Sequence, residues 1–417
     1  MKKNVLGILA ALFVFALLFP ATGRATNDVY AILYDDGTLV FQNGNTPEPG
    51  HAVTNTYAVD LDKVYTGYPS NYALWFHEKE SVCVVNFADK ISPSATAYWF
   101  YGCENLERVD NIQNLDTANV TDISCMFDGC SRLRTLEVSH FDTANVTDMS
   151  CMFSACRELT ALDVSGFDTA NVTSMHTMFS YCIGLTALDL SHFDTSKVTS
   201  MLYMFSACSG LTALDVSGFD TASVTSMACM FGGCSGLAAL DVSRFDTAKV
   251  TDMGRMFAGC SNLKTICASD KFKTASVPEN DLYNSQNMFY NCTSLVGGNG
   301  TRFDSRHTDK RYARIDGGTS APGYFTYKAA PAAYAITAAA PGTNGQLSVT
   351  LTNPDAATLA VAYFDANLKF ASADIQSISA NAGTVTSSVS ANATTFCVML
   401  LDNEWRPLCE SYRAVVR

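Results

Sequence analysis

Five phenylalanines, Phe141, Phe167, Phe193, Phe219 and Phe245, follow one another at intervals of 26 residues, each opening a Phe-Asp-Thr step. Leu115 precedes the series by the same interval and Phe272 follows it by 27. A unit this short cannot bury its own apolar face, so a fixed period of this length calls for an array in which each unit packs on its neighbours.

Within one unit, Leu159-Thr-Ala-Leu162-Asp-Val164-Ser-Gly-Phe167 has the leucine-rich spacing, with Leu162 and Val164 inward and Ala161, Asp163 and Ser165 outward. Each unit is therefore expected to give one short strand to a parallel sheet. Further on, Met175, Met178, Phe179 and Cys182 fall at i, i+3, i+4 and i+7, the spacing of one helix face. Thr173 stands where an N-cap belongs, Asp122, Asp148 and Asp252 fill the first helical position of sister units, and Gly184, Gly210 and Gly236 suit left-handed helix ends. The expected fold class is α/β: a leucine-rich-repeat solenoid with a parallel β-sheet on its concave side and short helices on its convex side, followed by a small all-β sandwich. Because helices pack about 8 to 10 Å apart and strands about 4.8 Å, such a body curves into an arc.

The expected organisation is a signal peptide over 1–25, an N-terminal cap with a β-hairpin over 26–92, the repeats over 93–302, a C-terminal cap over 303–328, a linker over 329–332 and an immunoglobulin-like β-sandwich over 333–417. Lys2 and Lys3 before the apolar run from Val5 to Phe19, then Gly23-Arg24-Ala25, carry the secretory reading, with a retained anchor as the alternative. Asp35-Asp36-Gly37 supplies the hairpin turn, and Val82 to Phe87 reads as a further strand. After Ala329, period-two runs such as Leu347 to Leu351, Leu359 to Tyr363 and Phe396 to Leu400 suggest the sandwich.

A formal charge of −13 argues against nucleic acid or an anionic membrane as partner. Most of that charge lies in the repeats, where Glu104 to Arg255 hold 19 acidic and eight basic residues. The chain has 15 cysteines. Cys103, Cys130, Cys156, Cys182, Cys208, Cys234, Cys260 and Cys292 form one column, expected as buried thiols because helices 8 to 10 Å apart hold them beyond the disulfide Cα limit of about 6.8 Å. Cys125, Cys151 and Cys229 form a partial second column, expected off the apolar helix face and exposed or half-buried. Cys397 and Cys409 are candidates for a bridge.

Serines and aspartates recur once per unit, whereas a catalytic centre is singular, so no catalytic residue is assigned. His140 and His192 read as turn residues and His176 stands alone on its predicted helix. No phosphate loop, dinucleotide fingerprint or zinc spacing is present; no cofactor and no metal ligand are expected. The binding hypothesis rests on Glu137, Asp163, Asp189, Asp215 and Asp241, with Ser165, Ser191 and Ser217, on the outward face of successive strands. These carboxylates either splay into water and accept nearby hydrogen bonds, or form an acidic stripe for a basic protein surface or cations. Asp142, Asp168, Asp194, Asp220 and Asp246 suit turn capping, with calcium the other reading.

The unit Phe-Asp-Thr-Ala-Asn-Val-Thr-Asp-Met-x-x-Met-Phe-x-x-Cys-x-x-Leu-x-x-Leu-Asp-Val-Ser resembles the BspA-like leucine-rich-repeat surface proteins of bacteria. The likeness covers about residues 80 to 325, including Gly297-Gly-Asn-Gly-Thr301 and Ala313-Arg-Ile-Asp-Gly-Gly318. It implies a secreted or cell-surface adhesion protein without enzyme activity, whose partner is a protein, with host matrix proteins as candidates. Val361 to Asp365 and Arg406 to Glu410 look like an accessory immunoglobulin-like module. The alternative is a structural component of the cell envelope with no host ligand. No transmembrane anchor is expected after signal removal, and the sequence leaves the oligomeric state open.

Overall fold

The computed structural model describes residues 28–66, 71–278, 286–329, 335–341, 346–352, 357–364, 370–378, 384–388, 395–401 and 412–415. The expected signal peptide, most of the linker, residues 279–285 and the Cys397 and Cys409 side chains lie outside them. The chain divides into two units, Met1–Ala330 and Pro331–Arg417.

The first unit opens with β1 (Val29–Tyr34) and β2 (Thr38–Asn43) as an antiparallel hairpin. Gly37 closes its turn at φ 84°, and the Asp36 carboxylate accepts the Thr38 N–H at 2.9 Å. A strand absent from the sequence reading, β3 (Val53–Val59), covers the other edge of β1; its half-exposed, largely polar pattern carries little signal. β4 (Val84–Phe87) joins β2 in parallel, and β5 (Arg108–Asp110), which lies within the first repeat, joins β4 in parallel. The order β3-β1-β2-β4-β5 thus hands the hairpin's hydrogen bonds on to the repeats. Beneath it, Phe41 stacks on Phe87 and Trp99 and meets Trp75 edge-on, all four fully buried.

The repeats correct the expected fold. Among the described residues there is no α-helix, and no continuous parallel sheet runs through the units. Beyond β5, the described strands of Met1–Ala330 are β6 (Ala239–Asp241), β7 (Thr265–Ala268) and β8 (Phe325–Tyr327), a short parallel ladder at the far end. The helix-flanked leucine-rich-repeat solenoid is therefore overturned.

The reason lies in where the backbone donors go. In the Met-Phe segment every second N–H leaves its own unit: Cys151 donates to His176, Phe153 to Met178 and Ala155 to Ser180, at 2.7 to 3.0 Å. The N–H groups between them close four-residue turns, as Met152 to Met149 and Ser154 to Cys151. An α-helix would need all of them for i→i−4 bonds. Two left-handed residues per unit make this possible. One column holds Tyr98, Cys125, Cys151, Thr177, Tyr203, Cys229, Arg255 and Asn287; the other, four residues later, holds Gly102, Gly129, Ala155, Tyr181, Ala207, Gly233, Gly259 and Asn291.

Other helix landmarks are reassigned with it. Thr173 is no N-cap: its N–H and hydroxyl both donate to the Thr147 carbonyl one unit back, at 2.9 and 3.1 Å. Asp122, Asp148 and Asp252 sit in a column of parallel β-bridges, each accepting the N–H two residues on. Gly184 is not a left-handed cap; a Cβ there would lie 2.8 Å from the carbonyls of Arg157 and Leu159. Directly hydrogen-bonded units also remove the helix spacing on which the expected arc rested.

The inward residues behave as their alternation predicts: Leu162, Val164, Phe167, Val172, Met175, Met178, Phe179 and Cys182 are all buried. Phe100, Phe127, Phe153, Phe179, Phe205, Phe231, Phe257 and Phe289 stack in register with centroids 5.5 to 6.2 Å apart. The cysteine column is buried and free, and each thiol from Cys130 to Cys292 donates to a phenylalanine carbonyl of the preceding unit, Cys182 to Phe153 at 3.0 Å. With no α-helix between the described units, the helix separation from which the unbridged column was expected is absent.

The second unit has two antiparallel sheets. One orders β13 (Thr384–Ser388), β10 (Gln346–Thr352) and β9 (Ala335–Pro341); the other orders β12 (Phe370–Ile378), β11 (Ala357–Phe364), β14 (Thr395–Leu401) and β15 (Tyr412–Val415).

Candidate functional site

Two places on the repeats carry chemistry. At the first, stacking in register brings Glu137, Asp163 and Asp189 into one open groove of about 400 Å³, floored by Leu136, Leu162 and Leu188. The three acids are exposed while the leucines beneath them are only 5 to 8% exposed. Asp215 and Asp241 hold the equivalent positions in the next two units.

The aspartates of this row also serve their own turns. Asp163, Asp189, Asp215 and Asp241 each accept the N–H two residues on, from Ser165, Ser191, Ser217 and Ser243, at 2.9 to 3.0 Å. Ser165 and its side-chain and backbone hydrogen bonds hold the Asp163 carboxyl below its ordinary value. Asp241 differs, being ion-paired with Lys328. Its burial would raise the carboxyl, but the Lys328 ammonium and Ser243 outweigh that and leave it lowered. At the C-terminal end of the row the Lys328 ammonium neutralises Asp241. The Asp142, Asp168, Asp194, Asp220 and Asp246 column likewise accepts the N–H two residues on, at 2.9 to 3.1 Å.

The second place escaped the sequence reading. Cys125, Asp128 and Cys151 bring one thiol, one carboxylate oxygen and one thiol within 4.8 Å of one another, the one such three-residue group among the described residues. His176, far from standing alone on a helix, places Nδ1 3.9 Å from the Cys151 sulfur and 3.3 Å from the Thr177 hydroxyl. Cys125 is buried and the others are half-buried. The neighbouring Cys125 thiol, with His176 beside it, holds Cys151 below the usual thiol range; the neighbouring Cys151 and burial hold Cys125 above it. Burial pushes the Asp128 carboxyl up to about 7. The interaction with Cys151 raises His176.

The signal for this cluster was a break in the repeat. Where Asp128 stands, later units have Ser154, Ser180, Ser206, Gly232 and Ala258; where His176 stands, its neighbours have Ser150 and Leu202. Left-handed backbone at Cys125 and Cys151 turns the two side chains to the same side of adjacent units.

The fold and these sites define a protein of short repeats hydrogen-bonded in register, exposing one repeated acidic row and one singular thiol cluster. Residues 95–210 and 183–303 match the family model described as Mycoplasma protein of unknown function, DUF285. Together the matches span half of the chain, and the chain belongs to that family. No curated protein and no solved structure matches it. Among the described residues no helix is long and apolar enough to cross a membrane.

Proposed function

We propose that the chain is an exported surface protein that binds a protein partner along the groove of Glu137, Asp163 and Asp189, as a member of the BspA-like group of bacterial surface proteins. The observation that carries this reading is a row of carboxylates above an apolar floor, repeated from unit to unit. Such a face suits a segment in which lysines or arginines alternate with aliphatic side chains. The overall charge of −13 favours a basic protein over nucleic acid. Repetition of the acids favours passive binding over catalysis, since many equivalent contacts raise affinity without any one reacting centre.

The test is a variant with Glu137→Gln, Asp163→Asn and Asp189→Asn. The amides keep the acceptor oxygens that hold the turns and remove only the charge. Host matrix proteins and the producing cell's envelope fraction are presented to immobilised native and variant chains. Capture that weakens in the variant, and in native protein as salt rises, supports the groove; equal capture by both rejects it.

A further inference from the structure

The cluster on the second to fourth units has no part in the groove, and its composition points to a ligand of its own. We propose that Cys125, Asp128 and Cys151 hold a thiophilic divalent cation of the zinc class, with His176 orienting the Cys151 sulfur and water completing the coordination. Zinc takes sulfur at about 2.3 Å and oxygen at about 2.0 to 2.2 Å, so its tetrahedral ligands lie about 3.4 to 3.8 Å from each other. Atoms already within 4.8 Å reach that geometry by small side-chain rotations.

Three features favour a metal over a plain pair of thiols. The ligand set joins two thiolate sources to a carboxylate, a combination suited to a borderline-soft cation and of no use to a disulfide. Asp128 is half-buried beside two sulfurs, where a cation would neutralise a carboxylate that is otherwise costly to ionise. The cluster is also singular. Cys229 occupies the same left-handed column four units beyond Cys125, yet Gly232 stands where Asp128 stands in the Cys125 unit. Binding places charge on the sulfurs and releases thiol protons to solvent; no electron changes hands.

The experiment is cobalt(II) titration of the full chain, kept reduced by a phosphine, followed by competition with zinc. One equivalent of cobalt should give thiolate charge-transfer absorption in the near ultraviolet and tetrahedral bands in the visible, both abolished by zinc. Cys125→Ser and Cys151→Ser should each weaken binding by at least about 10- to 100-fold, and Asp128→Asn by about 10-fold. Cys229→Ser should change nothing. Should a cysteine variant fail to fold, the native chain still decides: zinc must protect Cys125 and Cys151, and not Cys229, from alkylation mapped on peptides. Absence of thiolate bands, equal binding in the cysteine variants, or unprotected sulfurs would overturn the site. So would a Cys125–Cys151 disulfide that re-forms on removing the phosphine even with zinc present.

Discussion

Asp316 shows how much one carboxylate can organise. It is 2% exposed and accepts the N–H groups of Asn299, Thr301 and Gly318 and the Thr301 hydroxyl at 2.7 to 3.0 Å, tying the Gly297 to Thr301 loop to the closing segment. Burial would raise its pKa, but these hydrogen bonds win and bring it down to about 2. Since the folded value lies below the ordinary 3.8, its contribution is fully present above about pH 4 and fades as pH falls through 2. Asp316→Asn is expected to lose about 1 to 3 kcal/mol at pH 7 by urea unfolding, with the gap from native protein narrowing toward pH 2. At Cys182 the buried position was legible from its place in the column, whereas its acceptor, the Phe153 carbonyl 29 residues back, was not. Cys182→Ala should cost about 1 to 2 kcal/mol, from the lost thiol hydrogen bond and a small void, since the Phe153 carbonyl keeps the Cys156 N–H. An unchanged urea midpoint would deny the thiol that role.

The Met-Phe segment is where sequence periodicity misleads, for a definite reason. The steps from Met175 to Met178, Phe179 and Cys182 suit one helix face, but they suit equally a run of tight turns whose apolar residues face one way. Left-handed backbone tells the two apart, and it falls on Thr177 and Tyr181, residue types that do not announce it. The signal was present only in sister units, where Gly129, Gly233 and Gly259 occupy the Tyr181 column. Two substitutions test this geometry in opposite directions. Ala207→Gly at φ 59° should stabilise by roughly 0.5 to 1 kcal/mol, whereas in an exposed helix it would destabilise by about that amount. Gly210→Ala should destabilise by about 1 to 3 kcal/mol, because its Cβ would meet the Ile183 and Leu185 carbonyls at 2.5 and 2.7 Å. Thermal unfolding of both variants against native protein reads the signs directly.

Across the repeats, hydrogen bonds, phenylalanine stacks and thiol bonds all run between units one period apart, so each unit is stable only while its neighbours hold register. Phe179→Ala should cost about 3 to 5 kcal/mol, and amide exchange should quicken at Phe153 and Phe205 as well as locally. Exchange confined to the substituted unit would contradict the shared core. The same register sets the acidic row and the thiol cluster, one by repetition and the other by its interruption. By itself the sequence determined the 26-residue period, the inward and outward alternation, the hairpin turn and the aspartate turns, because each depends on residues a few places apart. Tertiary structure alone decided that alternate N–H groups serve the next unit instead of a helix, and that Cys125, Asp128, Cys151 and His176 meet. Both depend on how copies 25 to 27 residues apart are aligned side by side, and a local pattern is the same whichever neighbour completes its hydrogen bonds.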